Sequence, residues 1–278
     1  METVNLPTAQ GYGEAMRLAW RLLRQRFWSF VWLFVLAGLL ALLPLVAVGL
    51  LQHFVARLAL LWQLILLLVV NAFIVAIFRS IGLALAGSKA DFAAFTGWLL
   101  RSDTWLIALL PALYGSIVQQ LYPSPPPGAP AAAVIHFFLS PNYLLIVLLG
   151  VLVSPWYQYA FALYGTGGFA PVQAYRLALR IYGDRLRWLF FPLVLGLVVL
   201  LALVVSGIAL ALVAGLLGAL LHLLGLVALS KALTAILIAL FLALFLSAAM
   251  VFMTASLIVA ATDLPRAPAA GEFRPNTV

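Results

Sequence analysis

The sequence predicts an all-α integral membrane protein. Six transmembrane helices fall into three repeated units of amphipathic interfacial helix plus transmembrane hairpin, with both termini cytoplasmic. Three observations predict this. Mean hydropathy is +1.20 and only 8% of residues are charged, against roughly 25% in soluble domains. Several uninterrupted apolar runs supply the ~20 helical residues that cross a ~30 Å hydrocarbon core. Thirteen of the fifteen lysines and arginines fall on one side of the spans so drawn. The runs are continuous rather than alternating, so helices and not a barrel satisfy the backbone in lipid.

The spans cover residues 27–51, 58–78 with an extension toward 86, 104–121, 143–164, about 188–218, and 232–261. No charge occurs between Leu189 and Ser230, so the end of the fifth is placed from His222 and Gly225. The first run is too long for the apolar core of a signal peptide and is expected to stay as an anchor. Pro111, Pro155 and Pro192 are expected to kink their helices.

Orientation follows from lysine and arginine in the connections. Arg17, Arg21, Arg24 and Arg26 precede the first span. Arg79, Lys89 and Arg101 separate the second from the third, and Arg176, Arg180, Arg185 and Arg187 the fourth from the fifth. Arg266 and Arg274 are in the tail, and only Arg57 and Lys231 lie on the opposite side. The outer segment 122–141 is uncharged and proline-rich, which favours extended geometry, with "VIHFFLS" dipping into the interface. Residues 1–262 form one membrane domain, and 263–278, poor in apolar residues, is expected to be a disordered cytoplasmic tail.

The basic residues sit in a repeated phrase. "EAMRLAWRLLRQRF" at 14–27 returns as "QAYRLALRIYGDRL" at 173–186. Without a gap, Ala15, Arg17, Leu18, Ala19, Arg21 and Arg26 fall on Ala174, Arg176, Leu177, Ala178, Arg180 and Arg185. A fainter copy, "DFAAFTGWLLRSDTW" at 91–105, aligns Leu22, Leu23, Arg24 and Trp28 with Leu99, Leu100, Arg101 and Trp105. The repeat units then run from about 10–87, 88–166 and 167–262. Projected at 100° per residue, Glu14, Arg17, Arg21, Arg24 and Gln25 share one arc, and apolar residues with Trp20 cover the rest. Arg176 and Arg180 take the same arc in the later copy. A wide apolar face with a narrow basic one describes a helix lying in the membrane plane.

These segments resemble a family of bacterial inner-membrane proteins, the YciC-like proteins, together with the membrane domain that accompanies some glycerophosphodiester phosphodiesterases. The resemblance rests on "EAMRLAWRLLRQRFWSFVWLFV" and on "VSPWYQYAFALYGTGGFAPVQAYRLALRIYGDRLRWLF", and departs from the family pattern at Gly183, Asp184 and Leu186. It implies architecture and an inner-membrane location rather than an activity. Outside the spans there is no room for the phosphodiesterase catalytic domain of the fused relatives.

Chemistry-bearing residues are sparse. There is no cysteine, which excludes disulfides, thiolate metal sites and cysteine nucleophiles. All seven acids lie at or outside the cytoplasmic interface, whereas intramembrane charge is the usual mark of proton-coupled transport. A lipid-metabolising enzyme would need Asp91, Asp103 and Asp184 to converge. No phosphate loop or nucleophile elbow appears. His53, His136 and His222 fall one per hairpin at spacings of 83 and 86. Around a pseudo-threefold axis they could meet on zinc, but no outer acid would orient them, and no metal or cofactor is assigned. Gln63, Asn71 and Gln158 are the candidates for a polar path. Gly207, Ala211 and Gly215, and likewise Ala214 and Gly218, are spaced to form close-packing faces within the fold or across a homodimer.

The expectation is a non-enzymatic membrane protein of envelope or membrane homeostasis, alone, as a homo-oligomer or as a subunit of a complex. It contacts anionic phospholipid through Arg17, Arg21, Arg24, Arg176, Arg180 and Arg187, with no nucleic-acid partner. The alternative is a transporter component for an amphiphilic small molecule. Labels at the two termini are expected to react only from the cytoplasmic side of sealed vesicles; labels facing opposite compartments would remove the span count.

Overall fold

The computed structural model describes residue 9 and residues 11–54, 59–88, 91–121 and 130–265, the side chains of 52–54, 59 and 131–133 excepted. The described residues are almost wholly helical, with no strand among them. Six helices are long and apolar enough to span a membrane. In chain order these are α1 (Tyr12–Phe54), α2 (Ala59–Leu85), α4 (Ser102–Leu121), α6 (Pro141–Thr166), α8 (Phe191–Leu223) and α9 (Val227–Ala261). Three short helices intervene: α3 (Phe92–Leu99), α5 (Ala131–Leu139) and α7 (Pro171–Ala178).

Local chemistry sets the boundaries. The Asp91 carboxylate accepts from the Ala94 N–H at 2.8 Å and caps α3. Ser140 accepts from the Tyr143 N–H, and Pro141 opens α6 at a position where its missing N–H costs nothing. Gly167 ends α6 at φ +86, a conformation that favours glycine. Gly225, at φ +77, turns the chain between α8 and α9.

The helix interior of α1 is broken at Arg26, whose φ −128 and ψ 23 are not helical. Arg185 has φ −125 and ψ 33. The phrase alignment superposes these two residues, and their backbones bend alike. Ala15 and Ala174 are fully buried, as are Ala19 and Ala178. The basic stretch at 173–182 is helical only as far as Ala178, then tightens into a 3₁₀ turn at Leu179–Tyr182 and a second at Leu186–Trp188.

Three expectations are corrected. Pro192 does not kink a helix; it stands in the first turn of α8, because the 3₁₀ stretch before it lets the helix restart at Phe191. Pro111 and Pro155 do lie inside α4 and α6. The outer segment is not extended throughout: residues 131–139 form α5, which packs on α6, while 122–129 lie outside the described residues. Asp263 and Leu264, expected to open the tail, are buried; 266–278 lie outside the described residues.

Burial is uneven along the bundle. Tyr12, Trp188 and Asp263 meet at one end, so the start of α1 and the end of α9 lie together. At that end Phe30, Phe95, Tyr159, Ile181, Trp188 and Phe191 are fully buried or nearly so. The far halves of the spans are exposed, Leu43 at 68% and Leu216 at 73% among them. Lipid tails are as apolar as leucine, so nothing drives those halves together.

The tightest contact is between α2 and α6. A Cβ added at Gly82 would land on the Gly165 carbonyl, and one added at Gly165 would come within 3.0 Å of the Phe78 carbonyl. Gly165→Ala or Gly82→Ala is therefore expected to destabilise the fold by about 1–3 kcal/mol or more. Thermal unfolding in detergent reads this out, with Gly196→Ala, where no atom lies within 4 Å of the added Cβ, as the neutral control.

Candidate functional site at the arginine-rich end of the bundle

Residues 12–26 of α1 reach across the arginine-rich end. At one side the Tyr12 ring packs on Trp188 and Phe191, 5.5 and 4.7 Å between centroids, and its hydroxyl donates to the Arg187 carbonyl. At the other side Arg26 donates to the carbonyls of Ser88 and Gly87, just beyond α2. Between these anchors Ala15, Ala19, Leu22 and Leu23 are buried, while Arg17, Arg21 and Arg24 are exposed. Trp20 stands 55% exposed beside them.

A second group surrounds Trp98. Arg79, near the end of α2, is only 8% exposed. Its Nη1 donates to the Gly165 carbonyl at 3.0 Å, and its guanidinium lies 4.3 Å from the Trp98 ring centroid. Arg101 approaches the same ring at 4.0 Å. Gly167 has no side chain because the Arg79 guanidinium occupies the space a Cβ would need. The ring quadrupole and a backbone carbonyl thus do for Arg79 what a carboxylate does elsewhere, at about 0.5–2 kcal/mol for each cation–π contact. Its Nε is buried without a hydrogen-bond partner among the described residues.

A third group closes the chain's end. Asp263 accepts from Trp188 Nε1 at 2.9 Å and from Arg187 Nη2 at 2.6 Å, with Arg185 Nε at 3.7 Å. Arg180 donates to the Leu264 carbonyl at 2.8 Å, and the Tyr159 hydroxyl donates to the Trp188 carbonyl. Burial alone would raise the Asp263 carboxyl. The Trp188 and Arg187 hydrogen bonds and the charges of Arg185 and Arg187 outweigh it and hold the group below the usual carboxylate range. Burial pushes the Tyr175 phenol up, so it stays a neutral donor to the Ile107 carbonyl at 2.6 Å.

The six arginines expected at lipid headgroups therefore divide. Arg17, Arg21, Arg24 and Arg176 are exposed. Arg180 and Arg187 hold the end of α9. Asp263 was not singled out from the sequence, because it reads as the first residue of a polar tail. Nothing in its local sequence marks it, since its arginine partners lie about 76 residues earlier in the chain. Of the other acids, Asp91 serves as a helix cap and Asp103 stands in the first turn of α4.

Among the described residues, no hydrogen bond joins the expected polar-path residues Gln63, Asn71 and Gln158 to one another. Gln63 donates to Gln119 across α2 and α4, and Asn71 donates to the Leu67 carbonyl of its own helix at 2.8 Å. The Gln158 Oε1 is buried with no partner among the described residues. His136 and His222 lie in α5 and α8, and the His53 side chain is outside the described residues. Among the described residues no three histidines and acids group as metal ligands. The Gly207, Ala211 and Gly215 row faces open space, whereas Ala214 is buried and Gly218 lies against Ser230 of α9.

Asp263→Asn is expected to cost about 1.5–3 kcal/mol, the value of charged hydrogen bonds lost from a buried site. Because the folded carboxyl titrates below its unfolded value of roughly 3.9, its contribution is complete above that pH and fades as pH falls through the lower folded value. Unfolding between pH 8 and 3 checks both: the wild type should lose this increment only below about pH 4, and the asparagine variant should lack that step. In comparisons with known proteins, no family model matches the chain and no curated protein or solved structure is significantly similar to it, so the likeness to YciC-like proteins rests on the quoted segments alone.

Proposed function

We propose that the chain is a non-enzymatic protein of the bacterial inner membrane. It serves envelope or membrane homeostasis by holding anionic phospholipid at the cytoplasmic leaflet, alone or as a subunit of a membrane complex. One observation carries the reading. Arg17, Arg21, Arg24 and Arg176 are exposed at the same end of the bundle, and among the described residues none of them makes an ion pair. They stand on segments whose opposite sides are buried through Ala15, Ala19, Ala174 and Ala178. A basic, outward-facing stripe on such segments matches a helix lying on an anionic surface.

The bias of positive charge assigns this end to the cytoplasm. The matched bends at Arg26 and Arg185 support a repeated unit in which a short helix lies flat and a hairpin follows. The middle unit would be α3, the break at Arg101, and α4. A transporter reading has one observation in its favour, the unpartnered Gln158 oxygen inside the bundle.

The test replaces Arg17, Arg21, Arg24 and Arg176 together by glutamine in the full chain. At ~1 kcal/mol per arginine near an anionic surface, retention of phosphatidylglycerol in native mass spectrometry should fall on the order of a hundredfold or more relative to phosphatidylcholine. Equal retention of the two lipids by the wild type, or no loss in the variant, would reject the reading.

A further inference from the structure

Beside the basic stripe lies a groove that the stripe alone does not explain. α1 and α8 each pack on α9 but touch one another little beyond the Tyr12 and Phe191 rings. The space left between them is about 440 Å³. One face of α9 forms its floor: Phe245, Ala248, Ala249 and Phe252 follow the i, i+3, i+4, i+7 spacing of neighbours on a helix. The two alanines recess the floor between the two rings. Met16, Trp20 and Leu23 of α1 make one wall, and Val198, Val199 and Ala202 of α8 the other. Arg17 is the one charged residue of the lining.

A second hollow, of about 400 Å³, adjoins the first and shares Arg17 and Trp20 with it. Its other lining residues are Arg21, Arg24 and Gln25. The segment of α1 that carries these three guanidiniums holds one acid, Glu14. The groove has the ~300–1,000 Å³ volume of small-molecule sites, and the second hollow is the cationic outer face of α1 beside it. One is apolar and the other cationic, and they meet at Trp20. An amphiphile with an apolar chain and an anionic head is complementary to both at once. Guanidinium is also the side chain that binds phosphate oxygens two at a time.

We propose that these joined hollows are a phospholipid site: one acyl chain lies in the groove between α1, α8 and α9, and the phosphate sits on Arg17, Arg21 and Arg24. This rests on the lipid-surface reading and sharpens it, from general attraction to one bound anionic diacyl lipid. Trp20 separates chain from head, the place an amphipathic ring takes at a membrane interface. Lipid held here would also bridge α1 to α8, which among the described residues meet chiefly through Tyr12 and Phe191.

Native mass spectrometry of the full chain tests it, with phosphatidylglycerol, phosphatidylcholine and glycerol 3-phosphate as probes. The expected result is one retained phosphatidylglycerol, not displaced by millimolar glycerol 3-phosphate. Ala249→Trp and Ala202→Leu, which fill the groove from two helices and leave every arginine in place, should weaken that retention roughly tenfold or more, the equivalent of two buried methylenes. Ala211→Trp, on an exposed part of α8 outside the lining, should not. In wild-type protein, phosphatidylglycerol brominated on its acyl chain should quench the fluorescence that Trp20→Phe removes, which keeps the test open if a groove variant does not fold. If the groove variants bind like wild type while the arginine variant loses lipid, the groove proposal fails and the surface reading stands. If neither set loses lipid, both fail. Displacement by glycerol 3-phosphate alone marks a free-phosphate site, and a lipid-free dimer marks a second copy in the groove; either overturns the proposal.

Discussion

At Gly82 and Gly165 two helix backbones come together with no side chain between them, and the arginine-rich end is organised around that contact. Lipid offers no hydrophobic reward for bringing helices together, so close approach and polar pairing must supply it. α2 occupies the middle of the arrangement, packing on α1, α3, α4, α6 and α9. The approach of α2 to α6 also creates the pocket for Arg79. The Gly165 carbonyl becomes its acceptor, the absent side chain of Gly167 leaves room for its guanidinium, and Trp98 lies beneath it. Among the described residues no carboxylate pairs with this cation.

The same scarcity of acids shapes the rest of that end. Among the described residues Asp263 is the one buried carboxylate, and it gathers Trp188, Arg187 and Arg185, which tie the end of α9 to the start of α8. Tyr12 then joins the start of α1 to the same cluster through Trp188 and Phe191. With these bonds made, the arginines on the outward side of α1 and α7 have no internal partner left to seek among the described residues. The exposed arginines form a cationic rim at this end, and the apolar groove beside Trp20 opens onto that rim.

Apolar content and charge placement were enough to read six helices. Length and hydropathy decide spanning almost alone, because an unpaired backbone cannot survive in hydrocarbon. The bend at Arg26 was legible in part, since the first span was drawn from residue 27 after a basic stretch expected to lie in the membrane plane. Less legible was the stretch at 179–188, where Gly183 and Asp184 interrupt the phrase and the chain takes two 3₁₀ turns. The misplacement of Pro192 follows from that, since a helix start cannot be told from a helix interior when both flanks are apolar.

By itself the sequence determined the helical class, the span number, and which end of the bundle carries the charge. Those depend on composition and period, which each segment holds on its own. Only the tertiary structure decided which arginines are exposed and which are bound, that Asp263 is a buried clamp rather than the start of a tail, and that small residues on α9 leave a groove beside Arg17. Such properties depend on residues 75 to 175 positions apart coming into contact, and no local pattern encodes the partner of a side chain that must be found across the fold.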